Sequence, residues 1–204
     1  MMHFTIAIDG PAAAGKGTIA RALAARLGMA HLDTGLLYRA VGALVAEGAD
    51  PVAAAQGLSE GDLTRGDLRS LSAGEAASRV AAMPPVRAAL VDFQRRFARR
   101  EGGAVLDGRD IGTVICPDAE VKLFVTADAE TRARRRWLEA GGEAAPEPFA
   151  TVLHQVCARD ERDMMRPDAP LRPADDALIL DTTRLSIEDA VAHAMRAVSD
   201  RKPK

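Results

Sequence analysis

The sequence has little of several residue types whose abundance defines particular protein classes. It has two cysteines, Cys116 and Cys157, too few for a disulfide-stapled secreted domain, and no C-x-x-C pair suggests a zinc site. Charge of neither sign predominates, since 27 Lys and Arg residues face 29 Asp and Glu residues and leave a net charge of −2. This balance argues against a general nucleic-acid binder, which carries a basic surface.

Long hydrophobic runs are also missing. No apolar stretch approaches the roughly 18 residues that a membrane-spanning helix requires, although 48% of the 204 residues are hydrophobic. The first residues include no basic stretch ahead of an apolar segment and run directly into Asp9-Gly10-Pro11. We therefore expect a first strand there and no signal peptide. Together these absences predict a soluble, single-domain protein of the reducing cytoplasm that makes no membrane contact.

Alternating strand and helix patterns predict an α/β fold, in which a parallel sheet of about five strands is flanked by helices on both faces. The segments that resemble buried strands are residues 4–9, 30–33, 104–107, 121–126 and 177–181. Helical spacing of apolar residues occurs in 18–27, 37–46, the segment after Pro84-Pro85, 129–140, 148–165 and 187–198. In the segment after the two prolines, one apolar helical stripe comprises Val86, Leu90, Phe93 and Phe97.

Three aspartates, Asp9, Asp33 and Asp107, each end a predicted strand. Ligands of parallel sheets bind outside the carboxyl ends of the strands. We therefore expect the three side chains to face one crevice. Residues 48–76 are only weakly patterned, and residues 141–148 (GGEAAPEP) form a mobile break between two helices.

Residues 10–18 (GPAAAGKGT) follow the first predicted strand and open a helix, and they match the phosphate-loop spacing G-x-x-x-x-G-K. Glycines let backbone N–H groups surround phosphate oxygens, and the start of the helix adds its positive end. Lys16 is a compact cation that can bridge the β- and γ-phosphates, and the Thr18 hydroxyl can bind a phosphate or magnesium. The alternative is a glycine-rich turn with a surface lysine. Phosphate binding is favoured because lysine is otherwise scarce, occurring besides Lys16 only at Lys122, Lys202 and Lys204.

The sequence contains no asparagine, and this absence narrows the choice that the loop leaves open among kinases, GTPases and motor ATPases. A GTPase reads guanine with an Asn-Lys-x-Asp segment, which this chain cannot have. Helicase and transporter ATPases need a longer chain and a large partner. A small kinase instead needs a second anion site for the phosphoryl acceptor and an arginine-rich flap that closes over it.

Three groups of residues can supply that second anion site. Two of them, residues 33–39 (DTGLLYR) and 107–112 (DGRDIG), follow predicted strands on the ligand side of the sheet. The third consists of side chains on the two helices that flank the 141–148 break: Arg132, Arg135, Arg136, Arg159, Arg162, Asp163 and Arg166. Taken alone, the arginine runs are also typical of a solvated, salt-bridged helix surface. The strand-end positions of the other two groups favour a phosphoryl-transfer site, where several guanidinium groups spread over the phosphate oxygens.

In these segments the sequence resembles the bacterial cytidylate kinases of the nucleoside monophosphate kinase group. The resemblance spans nearly the whole chain in ordered motifs: IAIDGPAAAGKGT (6–18), LDTGLLYRA (32–40), AASRVAAMPPVR (76–87), VLDGRDIGTVICPDA (105–119), RDERDMMRPDAPL (159–171) and DDALILDTT (175–183). The resemblance implies a P-loop NTPase-type fold, phosphorylation of CMP and dCMP with ATP as co-substrate and magnesium (Mg2+) as cofactor, and a monomer.

The resemblance also implies roles for individual residues. The residues implied to bind the donor phosphates are Gly10, Pro11, Ala12, Ala13, Ala14, Gly15, Lys16, Gly17 and Thr18, with Thr18 as metal ligand. Those implied to act catalytically are Lys16, Arg109, Arg132, Arg136 and Arg166. The lid arginines Arg132, Arg135 and Arg136 match residues that close over the donor, and Gly141 and Gly142 allow the lid to move. Those implied to bind the acceptor are Thr34, Tyr38, Arg39, Ser78, Arg87, Asp107, Arg109, Asp110, Arg159, Asp163 and Arg166.

Within that acceptor set, Arg39, Arg109 and Arg166 match residues that hold the phosphate. Ser78, Arg87 and Asp110 match residues around cytosine, and Arg159 and Asp163 match ribose contacts. Independently of the resemblance, we expect either Asp9 or Asp107 to lie in the outer shell of the magnesium ion.

The sequence departs from the family pattern in one place. Family members have a small β-stranded insert that helps to close over the monophosphate, and residues 57–71 are too few for those strands. We assign the shortened insert to about residues 48–83, the lid to about 132–166, and the core to 1–47, 84–131 and 175–204. Two alternatives stay open: a relaxed kinase that also accepts UMP or AMP, and a non-catalytic regulator that binds ATP.

Overall fold

The computed structural model describes residues 3–201, without the side chains of residues 60, 69 and 71. Five strands are found there: β1 (Thr5–Asp9), β2 (Ala30–Asp33), β3 (Ala104–Gly108), β4 (Val121–Thr126) and β5 (Leu178–Asp181). They form one sheet in the order β2-β3-β1-β4-β5, and every neighbouring pair is parallel. The predicted five-stranded parallel sheet is confirmed, and no strand boundary differs from its prediction by more than one residue.

Helices connect the strands and cover both faces of the sheet. They are α1 (Lys16–Leu27), α2 (Thr34–Ala46), α3 (Pro51–Gln56), α4 (Glu60–Leu63), α5 (Leu71–Ala81), α6 (Pro84–Ala98), α7 (Ala129–Glu139), α8 (Phe149–Met164) and α9 (Ile187–Arg201). Short turns of other pitch lie at Gly66–Arg69 and Gly142–Ala144, which are 3₁₀, and at Ile111–Ile115, which is π-helical. Helix α1 ends at Gly28, whose positive φ of 65° suits the predicted glycine cap.

Two apolar layers sandwich the sheet because successive strand residues point to opposite faces. Ile6 and Ile8 of β1 pack in the layer that includes α1 and α9, whereas Ala7 packs in the layer that includes α2, α5 and α6. Helices α7 and α8 bury a small core of their own, in which Trp137 and Phe149 meet edge to face with ring centroids 6.1 Å apart. The α7–α8 pair can therefore keep its internal packing if it moves as a unit.

Two predicted burial patterns are wrong. Strand β5 was expected to be buried, but Leu178 and Ile179 are exposed and Leu180 alone is buried, because β5 is an edge strand paired only with β4. In α6, Val86 and Leu90 are buried as predicted, but Phe93 is 41% exposed. Phe93 lines a cavity of about 250 Å3 between α6 and the segment around α3 and α4, which is too short to cover the ring.

Residues 48–83, all described in their backbone, contain helices and one 3₁₀ turn but no strand. This agrees with the expectation that a β-stranded insert does not fit there. The shortened insert nevertheless reaches the ligand side of the sheet, because the Leu68 and Ser70 carbonyls accept hydrogen bonds from Arg39 Nη1 at 2.6 and 3.4 Å.

Candidate active site

The loop between β1 and α1 is fixed by hydrogen bonds that its backbone carbonyl groups accept from neighbouring side chains. Gly10 opens it with φ 146°, and a Cβ there would lie 1.9 Å from the Val125 carbonyl oxygen, so only glycine fits. The Ala12 carbonyl accepts from Arg132 Nη1 at 3.3 Å, and the Ala14 carbonyl accepts from the Thr182 hydroxyl at 2.9 Å. With α1 beginning at Lys16, the loop has the form of a phosphate cradle at a helix amino terminus.

A cavity of about 480 Å3 lies over this loop. Its floor is formed by the predicted donor residues 13–18, and its far wall by Arg135, which was predicted as one of the lid arginines, together with residues that the sequence did not single out: Glu139, Thr182, Leu185, Ser186 and Ile187. Four of these residues follow β5, and their place beyond the carboxyl end of a parallel strand is the sequence signal that marks them as ligand-side residues. Arg135 is fixed on Thr182, where its Nη1 and Nη2 donate to the hydroxyl at 3.0 Å and the carbonyl at 2.7 Å.

Lys16 lines this donor cavity and also a neighbouring cavity of about 450 Å3 that includes Asp33, Arg39, Asp107 and Arg159. Burial, and next the nearby Arg109 guanidinium, lower the pKa of Lys16 to about 7, while Asp107 and Asp33 oppose that shift. A phosphate bound in this second cavity, which we call the transfer cavity, would restore the charged ammonium.

The three strand-end aspartates do not share one crevice. Asp33 and Asp107 are register partners on β2 and β3 and both line the transfer cavity. The Asp107 carboxylate accepts a hydrogen bond from His31 Nε2 at 2.7 Å. Asp9 is the exception, because its carboxylate accepts from backbone N–H groups of the π-helical turn instead. Burial raises the pKa of Asp9 to about 7, while those N–H donors oppose the rise.

A third cavity, the acceptor pocket, adjoins the transfer cavity and collects most of the predicted acceptor residues. It is lined by Thr34, Tyr38, Ser78, Arg87, Arg109, Asp110, Arg159, Asp163 and Arg166. The remaining two predicted acceptor residues, Arg39 and Asp107, line the transfer cavity. The acceptor pocket encloses only about 50 Å3, less than a nucleotide occupies, so its walls must separate for a ligand of that size to enter.

Carboxylates in the acceptor pocket pair with arginines but leave some guanidinium N–H groups unsatisfied. Arg109 Nε donates to Asp163 at 2.9 Å, and Arg87 pairs with Asp110 and, at 3.0 Å, with Asp168. Among the described residues, the buried nitrogens that lack a hydrogen-bond partner include Nη1 of Arg87, Nε and Nη1 of Arg159, and Nε of Arg166. A buried donor without an acceptor is costly, so these arginines are poised for an anionic ligand.

Arg159 has two of these nitrogens, and its nearest carboxylate, Asp163, lies 4.0 Å from Nε. Burial, and next the neighbouring Arg109, lower the pKa of Arg159 to about 9. A Cβ placed on Gly74 would lie 3.0, 3.2 and 3.7 Å from terminal nitrogens of Arg136, Arg159 and Arg39. Three guanidinium groups therefore converge on one point of α5, and a glycine there leaves them room.

The lid arginines do not all face the ligand cavities. Arg132 is buried, and its nitrogens donate to Asp160 Oδ1 at 3.0 Å, to Asp160 Oδ2 at 2.6 Å, and to the Ala127 and Ala12 carbonyls. It thus joins α7, α8 and the phosphate loop. The catalytic role expected for Arg132 stays a prediction, and in this conformation Arg135 is the α7 arginine that lines the donor cavity.

We expect Asp160→Ala to lower the free energy of unfolding by about 3 kcal/mol, because removing one partner of a buried ion pair leaves the other charge uncompensated. Urea denaturation followed by circular dichroism measures this loss. Glu161→Ala is the matched control, since Glu161 is an exposed carboxylate on the same helix. Equal losses in the two variants would show that the Arg132–Asp160 pair is not the cause.

Taken together, a parallel sheet, a phosphate loop at the first strand and an arginine-lined second cavity define the class of small P-loop kinases. None of the helices within residues 3–201 combines the length and apolarity needed to cross a membrane. A family model described as "Cytidylate kinase" matches residues 6–200, and the chain belongs to the cytidylate kinase family.

Similar proteins agree with this assignment. The cytidylate kinase of Cereibacter sphaeroides is 69% identical over 201 residues, covering 98% of each chain. The cytidylate kinase of Methylocella silvestris is 58% identical and covers 93% of this chain and 91% of its own. Among solved structures, an uncharacterized protein from Eubacterium ventriosum aligns with a TM-score of 0.61 at 16% identity, over 97% of this chain and 99% of that chain. This structural likeness supports the fold alone.

Proposed function

We propose that this chain transfers the γ-phosphoryl group of ATP to CMP or dCMP, giving ADP and CDP or dCDP. The observation that carries the proposal is the position of Lys16, which lines both the donor cavity and the transfer cavity. A group bound to the loop can therefore lie directly beside a group held by the arginines. Membership of the cytidylate kinase family supports the choice of base.

In this reaction an oxygen of the acceptor phosphate attacks the γ-phosphorus in line. A new P–O bond forms as the bond to the β–γ bridging oxygen breaks, and ADP keeps that electron pair. No protein nucleophile is needed, because the chain positions two phosphates and stabilises charge on the equatorial oxygens. Lys16 stabilises that charge from the donor side and Arg159 from the acceptor side. Arg39 and Arg109 line the same transfer cavity and add two further positive charges.

The residues at the loop fit a magnesium ion bound with ATP. The Thr18 hydroxyl lines the donor cavity and accepts from Arg21 Nη2 at 3.5 Å. Asp107 lies close by, its Oδ2 being 3.6 Å from a Cβ built on Gly17. Hydroxyl, carboxylate and phosphate oxygens are the ligands that Mg2+ prefers, and the ion supplies charge neutralisation between the phosphates. Because Asp9 is taken up by backbone N–H groups, Asp107 is the better candidate for the ion's waters.

Cytosine is assigned to the pocket wall formed by Ser78, Arg87 and Asp110, all of them buried. A carboxylate accepts a hydrogen bond from the 4-amino group of cytosine, which uracil lacks. The Ser78 hydroxyl accepts from Arg162 Nη1 at 2.8 Å, so its own proton is free to be donated into the pocket. The monomeric state, the cytoplasmic location and the domain boundaries expected from the sequence stay predictions.

The experiment that tests the proposal is ADP release from ATP and magnesium with CMP, dCMP, UMP or AMP as acceptor. Stimulation by CMP and dCMP alone is the expected result. Equal rates with UMP would keep the kinase and remove base selection from these residues. No stimulation by any acceptor would contradict the proposal and leave an ATP-binding regulator.

We expect Asp110→Asn to shift the ratio of kcat/KM for CMP over UMP by about tenfold or more toward UMP, because an amide can donate to the 4-carbonyl of uracil. Steady-state kinetics with each acceptor measure the ratio. Asp175→Asn makes the same chemical change at an exposed site and should leave the ratio unchanged. An unaltered ratio in Asp110→Asn would contradict the cytosine assignment.

A further inference from the structure

Asp9 belongs to the donor strand by sequence but makes its contacts on the acceptor side. It ends β1 and immediately precedes the phosphate loop. Its Oδ1 accepts from the Ile111 N–H and its Oδ2 from the Gly112 N–H, both at 2.7 Å. The residue is only 4% exposed. A buried carboxylate is tolerated when its oxygens are satisfied, so these two bonds fix the position of the carboxylate relative to the turn.

The turn that Asp9 holds is an uncommon one. Ile111 and Gly112 are the first residues of the π-helical turn Ile111–Ile115, and the first N–H groups of any helix have no partner within it. Such turns are rare and occur preferentially at functional sites. Both N–H groups that receive the Asp9 carboxylate come from this first turn, so Asp9 acts as its cap from another strand.

Packing around the turn is arranged for close approach of the carboxylate. A Cβ on Gly112 would lie 3.3 Å from Asp9 Oδ2 and 3.2 Å from Lys122 Cδ, tighter than ordinary contact. A larger residue at this position would push the carboxylate or Lys122 away. Glycine therefore permits the short bond between Asp9 and its own N–H.

Asp110 immediately precedes the turn and links it to the acceptor pocket. Its φ of −148° and ψ of 23° place it between extended and helical backbone, and its carboxylate pairs with Arg87 in the pocket wall. Asp110 is therefore held in two ways. Arg87 pairs with its side chain, and Asp9 accepts hydrogen bonds from the N–H groups of the next two residues. Asp9 is not among the described residues that line the donor, transfer and acceptor cavities, and its contact with the acceptor pocket runs through the turn and Asp110.

We propose that Asp9 is a positioning residue for the acceptor base: it fixes the turn that sets the orientation of Asp110, and recognition of cytosine depends on it. The inference rests on the proposed function, because it takes Asp110 as the group that reads the base. Asp9 is adjacent to the phosphate loop in the sequence, which would suggest a role in binding ATP. The proposal instead predicts that a substitution of Asp9 weakens binding of the acceptor more than binding of the donor.

The test is Asp9→Asn, measured by calorimetric titration of CMP and of ATP separately and by the kinetic preference for CMP over UMP. The amide nitrogen cannot accept from the second N–H. Affinity for CMP should fall by roughly 10- to 100-fold, the loss that a charge-assisted hydrogen bond to a buried group produces. Affinity for ATP should change by less than about threefold, and the CMP preference should fall by about tenfold. Asp118→Asn, an exposed aspartate beyond the same turn, is the matched control and should change none of these.

A fall in ATP affinity as large as the fall in CMP affinity would overturn the proposal, because Asp9 would then serve the phosphate loop. An unchanged CMP affinity and preference would overturn it as well. If Asp9→Asn does not fold, Gly112→Ala tests the same bond from its other side and should weaken CMP selectively. Failure of the wild-type protein to bind CMP at all would instead contradict the proposed function, so the two failures are distinguishable.

Discussion

Replacement of Lys16 by alanine is expected to lower turnover of ATP and CMP by about 10³-fold or more, because the variant lacks a preorganised cation at the transferred phosphate. Lys16 lies at the junction of the donor and transfer cavities. Burial already disfavours its charge in the free protein, so the fold does not need the ammonium. We therefore expect the loss in kcat to occur without a loss of thermal stability.

Arg26→Ala is the control for Lys16→Ala, since it removes one positive charge from the exposed end of the same helix. It should turn over at the wild-type rate. Steady-state kinetics and a thermal melt of both variants are sufficient. A Lys16→Ala enzyme that turned over near the wild-type rate would show that the loop does not act on the transferred group.

Arg159→Ala is expected to lower kcat/KM for CMP by about 10³-fold, while the melting temperature stays unchanged or rises by a few degrees. The activity falls because Arg159 lines both the transfer cavity and the acceptor pocket. The stability does not fall, because Nε and Nη1 are buried without hydrogen-bond partners, the carboxylate of Asp163 approaches Nε only to 4.0 Å, and the charge is disfavoured by burial and by Arg109. Removing a buried charge that is only weakly paired relieves the folded state.

Arg196→Ala is the matched control for Arg159→Ala, because Arg196 is exposed on α9. It should alter neither activity nor melting temperature. Differential scanning calorimetry and kinetics with varied CMP separate the two effects. If Arg159→Ala melted well below the wild type and kept its activity, Arg159 would be a structural residue and not part of the acceptor site.

The sequence was most informative where local chemistry determines structure. Gly10 and Gly28 mark places where the backbone takes positive φ, and these glycines located the phosphate loop and the end of α1. Short β-rich runs gave the strands, because buried parallel strands are apolar throughout. Asp33 and Asp107 were correctly placed on one cavity, since the strand-end rule depends only on the parallel sheet.

Features that depend on contacts distant in sequence could not be predicted. The Asp9 carboxylate turns toward Ile111 and Gly112, about a hundred positions along the chain. A local sequence pattern cannot show which distant backbone N–H groups will donate to the carboxylate at the end of a strand. Arg132 shows the same limit, because helical spacing indicates that it shares a face with Arg136 but not that Asp160 on the next helix occupies its guanidinium.

The most direct test of the account follows the phosphoryl group itself. ATP labelled at the γ-phosphate is incubated with the protein, magnesium and CMP, and the nucleotides are separated. We expect the label to appear in CDP in an amount equal to the ADP formed. Label recovered as inorganic phosphate, or retained in ATP, would contradict phosphoryl transfer to CMP.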